Sequence, residues 1–362
     1  MPNILSVGIH PPPYKISQDK ALSFAREIFK AHFADIERLL RVFHNGHISS
    51  RYFSVPLDWF REKHTFREKN NLYIRLATDF GRQAIRQCLY ESEFLMQPLP
   101  LEKIEAIFFI SSSGLSTPSI EARIMNHLPF KIHTKRIPIW GLGCAGGAAG
   151  LARAYEYCLA YPQANVLVLS IELCSLTFQP NDGSKSNLVG TSIFADGVAC
   201  TLVCGDKSDA NALANLPTRP SIIDVQTSLM PHSEDVMGWD VQDDGLYVIF
   251  SKSIPRIVHR WVSTEVNRFL NSHGLRTDHL QHLIAHPGGK KVLDAYEESL
   301  QFPKEMTAHS RSILREYGNM SSATVYYVLH RLMQKKIEKG DIGLVTALGP
   351  GFSSELLLLK WI

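Results

Sequence analysis

The sequence predicts an α/β fold in two halves, because apolar strand-like segments alternate with amphipathic helices on both sides of one polar stretch. In the first half, "IEAIFFISSSG", "IPIWGLG", "ANVLVLSIEL" and "GVACTLVCGD" are typical of buried strands. Residues 146–159 predict a helix whose apolar stripe is Ala148, Leu151, Tyr155 and Cys158. Strands that alternate with helices predict a parallel or mixed sheet covered on both faces.

The polar stretch runs from Gly205 to Ser221 and is rich in turn-forming residues. Before it, "QDKALSFAREIFKAHFADIERLLRVF" has helical periodicity. After it, "SIIDVQTSL" and "HLQHLIAHPGG" predict strands, "IPRIVHRWVSTEVNRFLNSHG" and "SSATVYYVLHRLMQKKIEKG" predict helices, and "IGLVTALGPGFSSELLLLKW" predicts two strands around a glycine-proline loop. We therefore expect one half at residues 1–210 and the other at residues 221–362.

Composition argues against several classes of function. The 362 residues carry 38 basic and 35 acidic side chains, a net charge of only +3, so nucleic-acid binding is not expected. The N-terminus lacks a basic segment followed by a long apolar one, and no run of about 18 apolar residues occurs. We therefore expect a cytoplasmic protein with neither a secretion signal nor a transmembrane segment.

The six cysteines do not form a C-x-x-C pair. Cys200 and Cys204 lie four residues apart on a predicted strand and so share one face of it. No histidine or acidic residue lies beside them at metal-ligand spacing. We expect both to be buried thiols, and we expect no metal site.

Cys144 lies in "GLGCAGG", where a strand gives way to a helix. Unpaired N–H groups and the positive end of the helix dipole would stabilise a thiolate and lower the pKa of this cysteine. A nucleophile and an inert filler between helix and sheet both fit this stretch. The hydrolase elbow does not fit, because Leu142 stands where its first glycine should be, although Gly146 matches the second.

Two downstream residues are candidates to assist a nucleophile. His286 ends an apolar strand before a Pro-Gly-Gly turn, and sites gather at strand ends in α/β folds. The alternative is a loop histidine that caps the turn. Asn319 follows Gly318 just before a helix, where it is either a helix N-cap or an amide donor aimed into a cleft.

Taken together, "GLGCAGG", "IAHPGG" and "EYGNMSSA" resemble the type III polyketide synthases, the chalcone-synthase-like group of the thiolase-fold superfamily. The segments "NLVG", "IFADG" and "LGPGF" extend the resemblance over nearly the whole chain. It implies a thiolase-like αβαβα layered fold built of two similar α/β halves, and a homodimer. The bacterial branch that makes alkylpyrones and alkylresorcinols from medium or long fatty acyl starters is the most similar.

The resemblance implies that Cys144 accepts the starter acyl group from coenzyme A as a thioester, with His286 as its ion-pair partner. His286 and Asn319 would donate hydrogen bonds to the thioester carbonyl of malonyl-CoA, whose decarboxylation leaves an enolate that attacks the Cys144 thioester. Acyl-CoA and malonyl-CoA would be substrates, and no cofactor, metal or carrier protein would be needed.

The resemblance also assigns positions around the cavity. Phe194 would be a gatekeeper, and Val248 stands at the second gatekeeper position in place of phenylalanine, which implies a wider passage. Trp239 replaces a glycine of plant members and would fill part of the elongation cavity. Thr117 stands where plant members send a methionine into the partner subunit. Ser112, Thr177 and Ser321 are further positions that shape the cavity, and Gly349, Pro350 and Gly351 match the family's glycine-proline loop, which scaffolds cyclisation.

Arg38 and Arg41 lie where the family places basic residues against the CoA phosphates, which guanidinium groups suit, and the third such position is Asn45. An ordinary solvated helix face is the alternative for these arginines.

Three other functions compete with this reading. A ketoacyl synthase of the fatty-acid initiation type would use the same Cys, His and Asn for one condensation with carrier-bound malonate. An HMG-CoA-synthase-like enzyme would need a glutamate near the thiol. A noncatalytic scaffold that binds acyl-CoA would be expected to lack one of the three residues.

Overall fold

The computed structural model describes residues 1–362 and has the alternating strands and helices that the sequence predicts. The strands are β1 (Asn3–His10), β2 (Tyr14–Ser17), β3 (Ser50–Phe53), β4 (Ala106–Ile110), β5 (Lys135–Ile139), β6 (Asn165–Leu173), β7 (Asp196–Cys204), β8 (Pro220–Leu229), β9 (Met237–Gln242), β10 (Gly245–Phe250), β11 (His282–Ala285), β12 (Ile342–Gly349) and β13 (Ser353–Trp361). The α-helices are α1 (Gln18–Phe29), α2 (Ile36–Asn45), α3 (Phe66–Leu89), α4 (Ile120–Met125), α5 (Gly146–Ala160), α6 (Lys185–Ile193), α7 (Ile254–Ile257), α8 (Ser263–Ser272), α9 (Lys290–Leu300), α10 (Ala308–Tyr317) and α11 (Thr324–Met333).

Nine strands form one mixed sheet in the order β11-β12-β13-β8-β1-β7-β6-β4-β5. Strands that precede residue 205 lie together on one side of this order, and strands from residue 220 onwards lie on the other. The two parts meet at a single residue pair, Asn3 with Ser221. β4 pairs in parallel with β5 and β6, and β11 pairs in parallel with β12. The candidate residues Cys144 and His286 follow the carboxyl ends of β5 and β11.

Three apolar clusters separate the layers and account for the αβαβα arrangement. The middle cluster packs α5 and α11 against strands of both parts of the sheet, and it contains the predicted stripe of Ala148, Leu151, Tyr155 and Cys158. A second cluster packs α1 and α3 on the outer face of the first part. A third packs α8 and α9 on the outer face of the second part. The predicted five-layer fold is therefore confirmed.

Several elements differ from the sequence-based expectation. The segment expected to be one helix over residues 18–43 is divided into α1 and α2, because Asp35 accepts a hydrogen bond from the Arg38 N–H at 3.2 Å and caps a new helix. A π-helical turn at Val258–Val262 separates α7 from α8. β1, α3 and the β9–β10 hairpin were not predicted, although Thr65 and Glu68 form a capping box at the start of α3.

All six cysteines are free and buried, as expected for Cys200 and Cys204. None of the helices combines the length and the apolar composition needed to cross a bilayer.

Candidate active site

Cys144 lies in a short 3₁₀ turn, Gly143–Ala145, that leads directly into α5. Gly143 has φ +47°, and a Cβ at this position would lie 2.7 Å from Cδ of Pro350. Only glycine fits this backbone without strain or a clash. Gly143 therefore lets Pro350 of the glycine-proline loop pack directly against the cysteine turn.

The Cys144 thiol is almost completely enclosed, since the residue is 7% exposed. Its Sγ–H donates a weak hydrogen bond to the Ser321 hydroxyl oxygen, which lies 3.6 Å from Sγ. Burial raises the pKa of the thiol to about 12, although the contacts with Ser321 and Asn319 act in the opposite direction. The lowered pKa predicted from the helix start is therefore wrong for this thiol without a charged partner, because burial outweighs the helix terminus.

Asn319 connects the loop after β11 with the turn that begins at Ser321. Its side-chain Oδ1 accepts a hydrogen bond from the Ser321 N–H at 2.9 Å, and its Nδ2 donates to the Gly288 carbonyl at 3.2 Å. Ser321 has φ +47°, a conformation that is uncommon for a residue with a side chain. The Asn319 bond holds Ser321 in this conformation, and the Ser321 hydroxyl thereby faces Cys144.

His286 follows β11, and only 4% of the residue is exposed. Neither ring nitrogen has a hydrogen-bond partner, so the ring does not cap the turn. Burial lowers the pKa of His286 to about 3, and the imidazole is neutral in this structure. Buried polar atoms are normally hydrogen-bonded, so two unpartnered ring nitrogens indicate a group that awaits a substrate or a proton.

Cys144 opens onto a cavity of about 310 Å³. The predicted cavity residues that line it with Cys144 are Ser112, Phe194, Trp239, Val248, Ser321, Pro350 and Gly351. Gly349 is buried against the cysteine turn, since a Cβ there would lie 2.4 Å from the Leu142 carbonyl oxygen. His286 and Asn319 are not part of the lining, and Asn319 contacts Ser321 from behind the wall.

A second, narrow cavity of about 50 Å³ lies beside the first and is mostly apolar. Thr177 lines this cavity rather than the one at Cys144. Phe194, Trp239 and Val248 line both, so these three side chains form the wall between the cavities.

This wall is fixed from two sides. Trp239 and Val248 are paired across the β9–β10 hairpin, and the Trp239 Nε1–H donates to the Ser112 carbonyl at 2.8 Å. The rings of Phe194 and Trp239 have centroids 6.1 Å apart. Trp239 therefore occupies space between the two cavities.

Comparison with known protein families identifies the family of this chain. The model described as the N-terminal domain of chalcone and stilbene synthases matches residues 3–207, and the model of their C-terminal domain matches residues 222–362. The chain belongs to the chalcone and stilbene synthase family. It is a type III polyketide synthase, an acyltransferase-type condensing enzyme that uses malonyl-CoA.

Relatives support this assignment over the full length. The chain is 55% identical over 359 residues to a Bacillus subtilis (strain 168) protein named "putative chalcone synthase", a match that covers 99% of this chain and 98% of the relative. It is 30% identical over 351 residues to 1,3,6,8-tetrahydroxynaphthalene synthase of Streptomyces peucetius subsp. caesius, covering 97% and 90% of the two chains. The crystal structure of 1,3,6,8-tetrahydroxynaphthalene synthase from Streptomyces coelicolor A3(2) superposes with a TM-score of 0.91 at 29% identity and covers 99% of both chains.

Glu172 is a site residue of this polyketide synthase that sequence reasoning missed. It lies on β6, is 0% exposed, and burial raises the pKa of its carboxyl group to about 7. Its oxygens accept hydrogen bonds from the Ser112 N–H at 3.1 Å and from the Ser322 hydroxyl. The only sequence signal was an acidic residue within an apolar strand, "VLVLSIEL".

The position of Glu172 near the thiol is relevant to the HMG-CoA-synthase-like alternative, which needs a glutamate there. Its negative charge contributes to the raised pKa of Cys144, so the carboxyl group lies near the thiol. Both oxygens are occupied by Ser112 and Ser322, so this is not the free general acid or base that an HMG-CoA-synthase-like enzyme needs.

The remaining predicted residues lie at the surface. Thr117 is exposed in the loop before α4. Arg38 and Arg41 are exposed on α2, and Arg38 forms an ion pair with Asp35 at 3.1 Å. No group of three or more His, Cys, Asp or Glu side chains is arranged to hold a metal ion.

Proposed function

We propose that this type III polyketide synthase loads a medium or long fatty acyl group onto Cys144, extends it with malonyl-CoA and cyclises it to an alkylpyrone or alkylresorcinol. The observation that carries this proposal is the apolar cavity behind Phe194, Trp239 and Val248. Burial of an alkyl chain in such a space is favourable by about 0.8 kcal/mol per CH₂ group. Because the cavity is narrow, a long chain enters it by displacing the aromatic rings of the wall.

In the loading step, Cys144 Sγ attacks the carbonyl carbon of the acyl-CoA, the new thioester forms, and coenzyme A leaves as its thiol. His286 is the base that takes the Cys144 proton. The unpaired thiol and the unpaired imidazole are both neutral because burial opposes charge on either group. Contact between them offsets this penalty, since opposite charges attract strongly in a buried site, and the pair then exists as thiolate and imidazolium.

In the extension step, malonyl-CoA loses CO₂ and leaves an enolate whose carbon attacks the Cys144 thioester. The Cys144 thiolate is the leaving group, and the product carries two more carbons. The Asn319 amide and the His286 ring donate hydrogen bonds to the enolate oxygen, and loss of one such donor costs about 10²–10³ in rate. Neither residue lines the cavity at Cys144, and Asn319 is covered by Ser321. Binding of malonyl-CoA therefore requires a movement that exposes both residues to the cavity.

No cofactor takes part in these steps, because coenzyme A thioesters are the substrates. Arg38 and Arg41 bind the CoA phosphates at the protein surface. The exposed position of both guanidinium groups on α2 supports this role. The enzyme works in the cytoplasm, where both CoA thioesters are made.

A homodimer forms through β5, which is the edge strand of the sheet. Its unpaired backbone groups and the exposed apolar side chains Leu115, Ile132 and Trp140 nearby favour pairing with a second copy.

The proposal is tested by incubating the enzyme with malonyl-CoA and a panel of acyl-CoAs of increasing chain length, with product masses as the readout. We expect alkyl-substituted products of more than one extension. Product from carrier-bound malonate alone, after one condensation, would instead indicate the fatty-acid initiation type. Product from malonyl-CoA alone, with no acyl chain incorporated, would show that the starter is malonyl and would contradict a fatty acyl starter.

A further inference from the structure

Arg51, on β3, is a completely buried arginine without a carboxylate partner. The residue is 0% exposed, its two Nη groups donate only to neutral oxygens, and its Nε has no hydrogen-bond partner. Nη1 donates to the carbonyls of Thr191 at 2.7 Å and Phe194 at 3.0 Å, and Nη2 donates to the Ser192 carbonyl at 2.5 Å and to the Gln18 side chain. A buried charge is retained only where charged donors are well hydrogen-bonded, so these carbonyls are the reason that Arg51 is tolerated.

These carbonyls belong to one short segment at the end of α6. The last carbonyls of a helix have no partner within the helix and carry the negative end of its dipole, so a cation stabilises them. Arg51 therefore caps the C-terminus of α6 and fixes the direction in which the chain leaves the helix. The first residue after the helix is Phe194, whose ring forms part of the wall between the two cavities.

The opposite side of the same segment holds Asn319. The Ile193 carbonyl accepts a hydrogen bond from the Asn319 N–H at 2.9 Å, and the Asn319 carbonyl accepts one from the Ala195 N–H at 2.9 Å. Residues 191–195 thus form one segment whose carbonyls bind Arg51 on one side, and whose residues 193 and 195 bind the backbone of Asn319 on the other. A displacement of the segment moves both the Phe194 ring and the Asn319 amide.

β3 is attached to the residues after the segment as well. The Ser54 N–H and hydroxyl, immediately after β3, donate to the Asp196 carboxylate at 2.7 and 2.6 Å. Arg51 and Ser54 therefore hold the chain from residue 191 to residue 196, and removal of Arg51 takes a donor from three carbonyls at once.

We propose that Arg51 is a positioning residue for the condensation reaction. Through the carbonyls of Thr191, Ser192 and Phe194 it sets the Phe194 ring at the cavity wall and the Asn319 amide behind Ser321, without touching substrate. The inference rests on the roles proposed above for Phe194 and Asn319.

The test compares Arg51→Met and Arg51→Lys with the wild type in malonyl-CoA decarboxylation and in product distribution. For Arg51→Met we expect a fall in kcat of about tenfold or more, smaller than the roughly 10²–10³ that loss of an oxyanion donor costs, because the Asn319 amide is displaced and not removed. KM for malonyl-CoA should change by less than about twofold, and the product series should shift because Phe194 moves. Arg51→Lys should recover part of kcat, since an ammonium group still reaches some of the carbonyls.

The far-ultraviolet circular dichroism spectrum separates positioning from general damage, because loss of the fold would change it. We expect it to be unchanged in Arg51→Met. Arg311→Met is the matched control, since Arg311 is partly buried on α10 and binds Asp294 and Glu297 in the outer layer. A folded Arg51→Met with the kcat and products of this control would overturn the proposal.

If Arg51→Met does not accumulate as folded protein, Gln18→Met answers the same question. Gln18 accepts from Arg51 and donates to the Ser192 carbonyl at 3.2 Å, so its loss loosens one anchor of the guanidinium. A smaller fall in kcat is expected, and an unchanged kcat would then overturn the proposal. Absence of malonyl-CoA decarboxylation in the wild type would refute the proposed function instead.

Discussion

At the scale of single residues, burial opposes a charge on both Cys144 and His286. The proposed reactivity of Cys144 requires that the two charges stabilise each other. The unpaired thiol has its pKa raised to about 12 and the unpaired imidazole has its pKa lowered to about 3, so each opposes the charge that catalysis needs. Neither group gains its charge from the helix terminus alone. In the mechanism proposed above, proton transfer between the two residues creates the nucleophile.

The pH dependence of Cys144 alkylation tests this coupling. In the wild type, we expect iodoacetamide inactivation at neutral pH, because the imidazolium of His286 stabilises the thiolate. In His286→Ala, the thiol keeps the pKa of about 12 that burial gives it, so inactivation should become appreciable only well above pH 9. Rates are measured from pH 5 to 11. Superimposable profiles for the two proteins would contradict the ion pair.

Trp239 is expected to limit the product. Trp239→Gly joins the two cavities that its ring now separates, so the product series should shift to longer chains or more extensions. Trp239→Phe keeps most of the ring volume and removes only the donor to the Ser112 carbonyl, and its products should match those of the wild type. Product masses with one acyl-CoA give the readout, and identical series for all three proteins would remove Trp239 from a role in chain length.

At the scale of elements, the contact between α5 and the Ser321–Ala323 turn sets the distance between Cys144 and Asn319. A Cβ added at Gly147 would lie 2.2 Å from the Ser322 carbonyl oxygen, so α5 and this turn touch through their backbones. Because of this contact, α5 and the Ser321–Ala323 turn cannot approach each other more closely, and any group added at Gly147 pushes them apart.

Gly147→Ala should therefore cost about 1–3 kcal/mol of folding stability, the usual range for forcing a group into a filled core. It should also lower kcat, because the helix that follows Cys144 is displaced. Gly46→Ala is the control, since a Cβ there meets the Val42 carbonyl oxygen at an ordinary 3.5 Å. Urea unfolding measures both variants, and equal midpoints would contradict a tight contact at Gly147.

The sequence was informative where a signal is local. Cys144, His286 and Asn319 each lie in a short motif at the end of a strand or the start of a helix, so they could be named in advance, and the stripe on α5 follows from its periodicity. Glu172 and Arg51 could not be assigned, because their roles depend on partners 60 to 140 residues away in the chain. The bond from Trp239 to Ser112 spans 127 residues and was invisible for the same reason.

At the scale of the whole molecule, the exposed edge of the sheet has a consequence for assembly. β5 ends the order of nine strands, and Trp140, which directly follows it, is 48% exposed. An unpaired edge strand with an exposed apolar side chain beside it favours pairing with another chain.

Light scattering should give twice the mass of one chain for the wild type. Trp140→Lys should shift the protein toward monomers, because a charge at the edge opposes pairing of two copies. Tyr90→Lys, which places the same charge at another exposed aromatic residue beyond α3, should remain dimeric. A monomeric wild type would rule out this assembly, and a dimeric Trp140→Lys would place the interface elsewhere.

The single residue pair between Asn3 and Ser221 has a practical consequence for engineering. Since the two parts of the sheet scarcely touch at their edges, α5 and α11 hold them together from within. Chimeric enzymes assembled by exchanging one half between relatives would therefore mismatch these helices against foreign strands. A recombination scheme that moves α5 and α11 together, and leaves the outer layers to vary, preserves the packing of the middle layer.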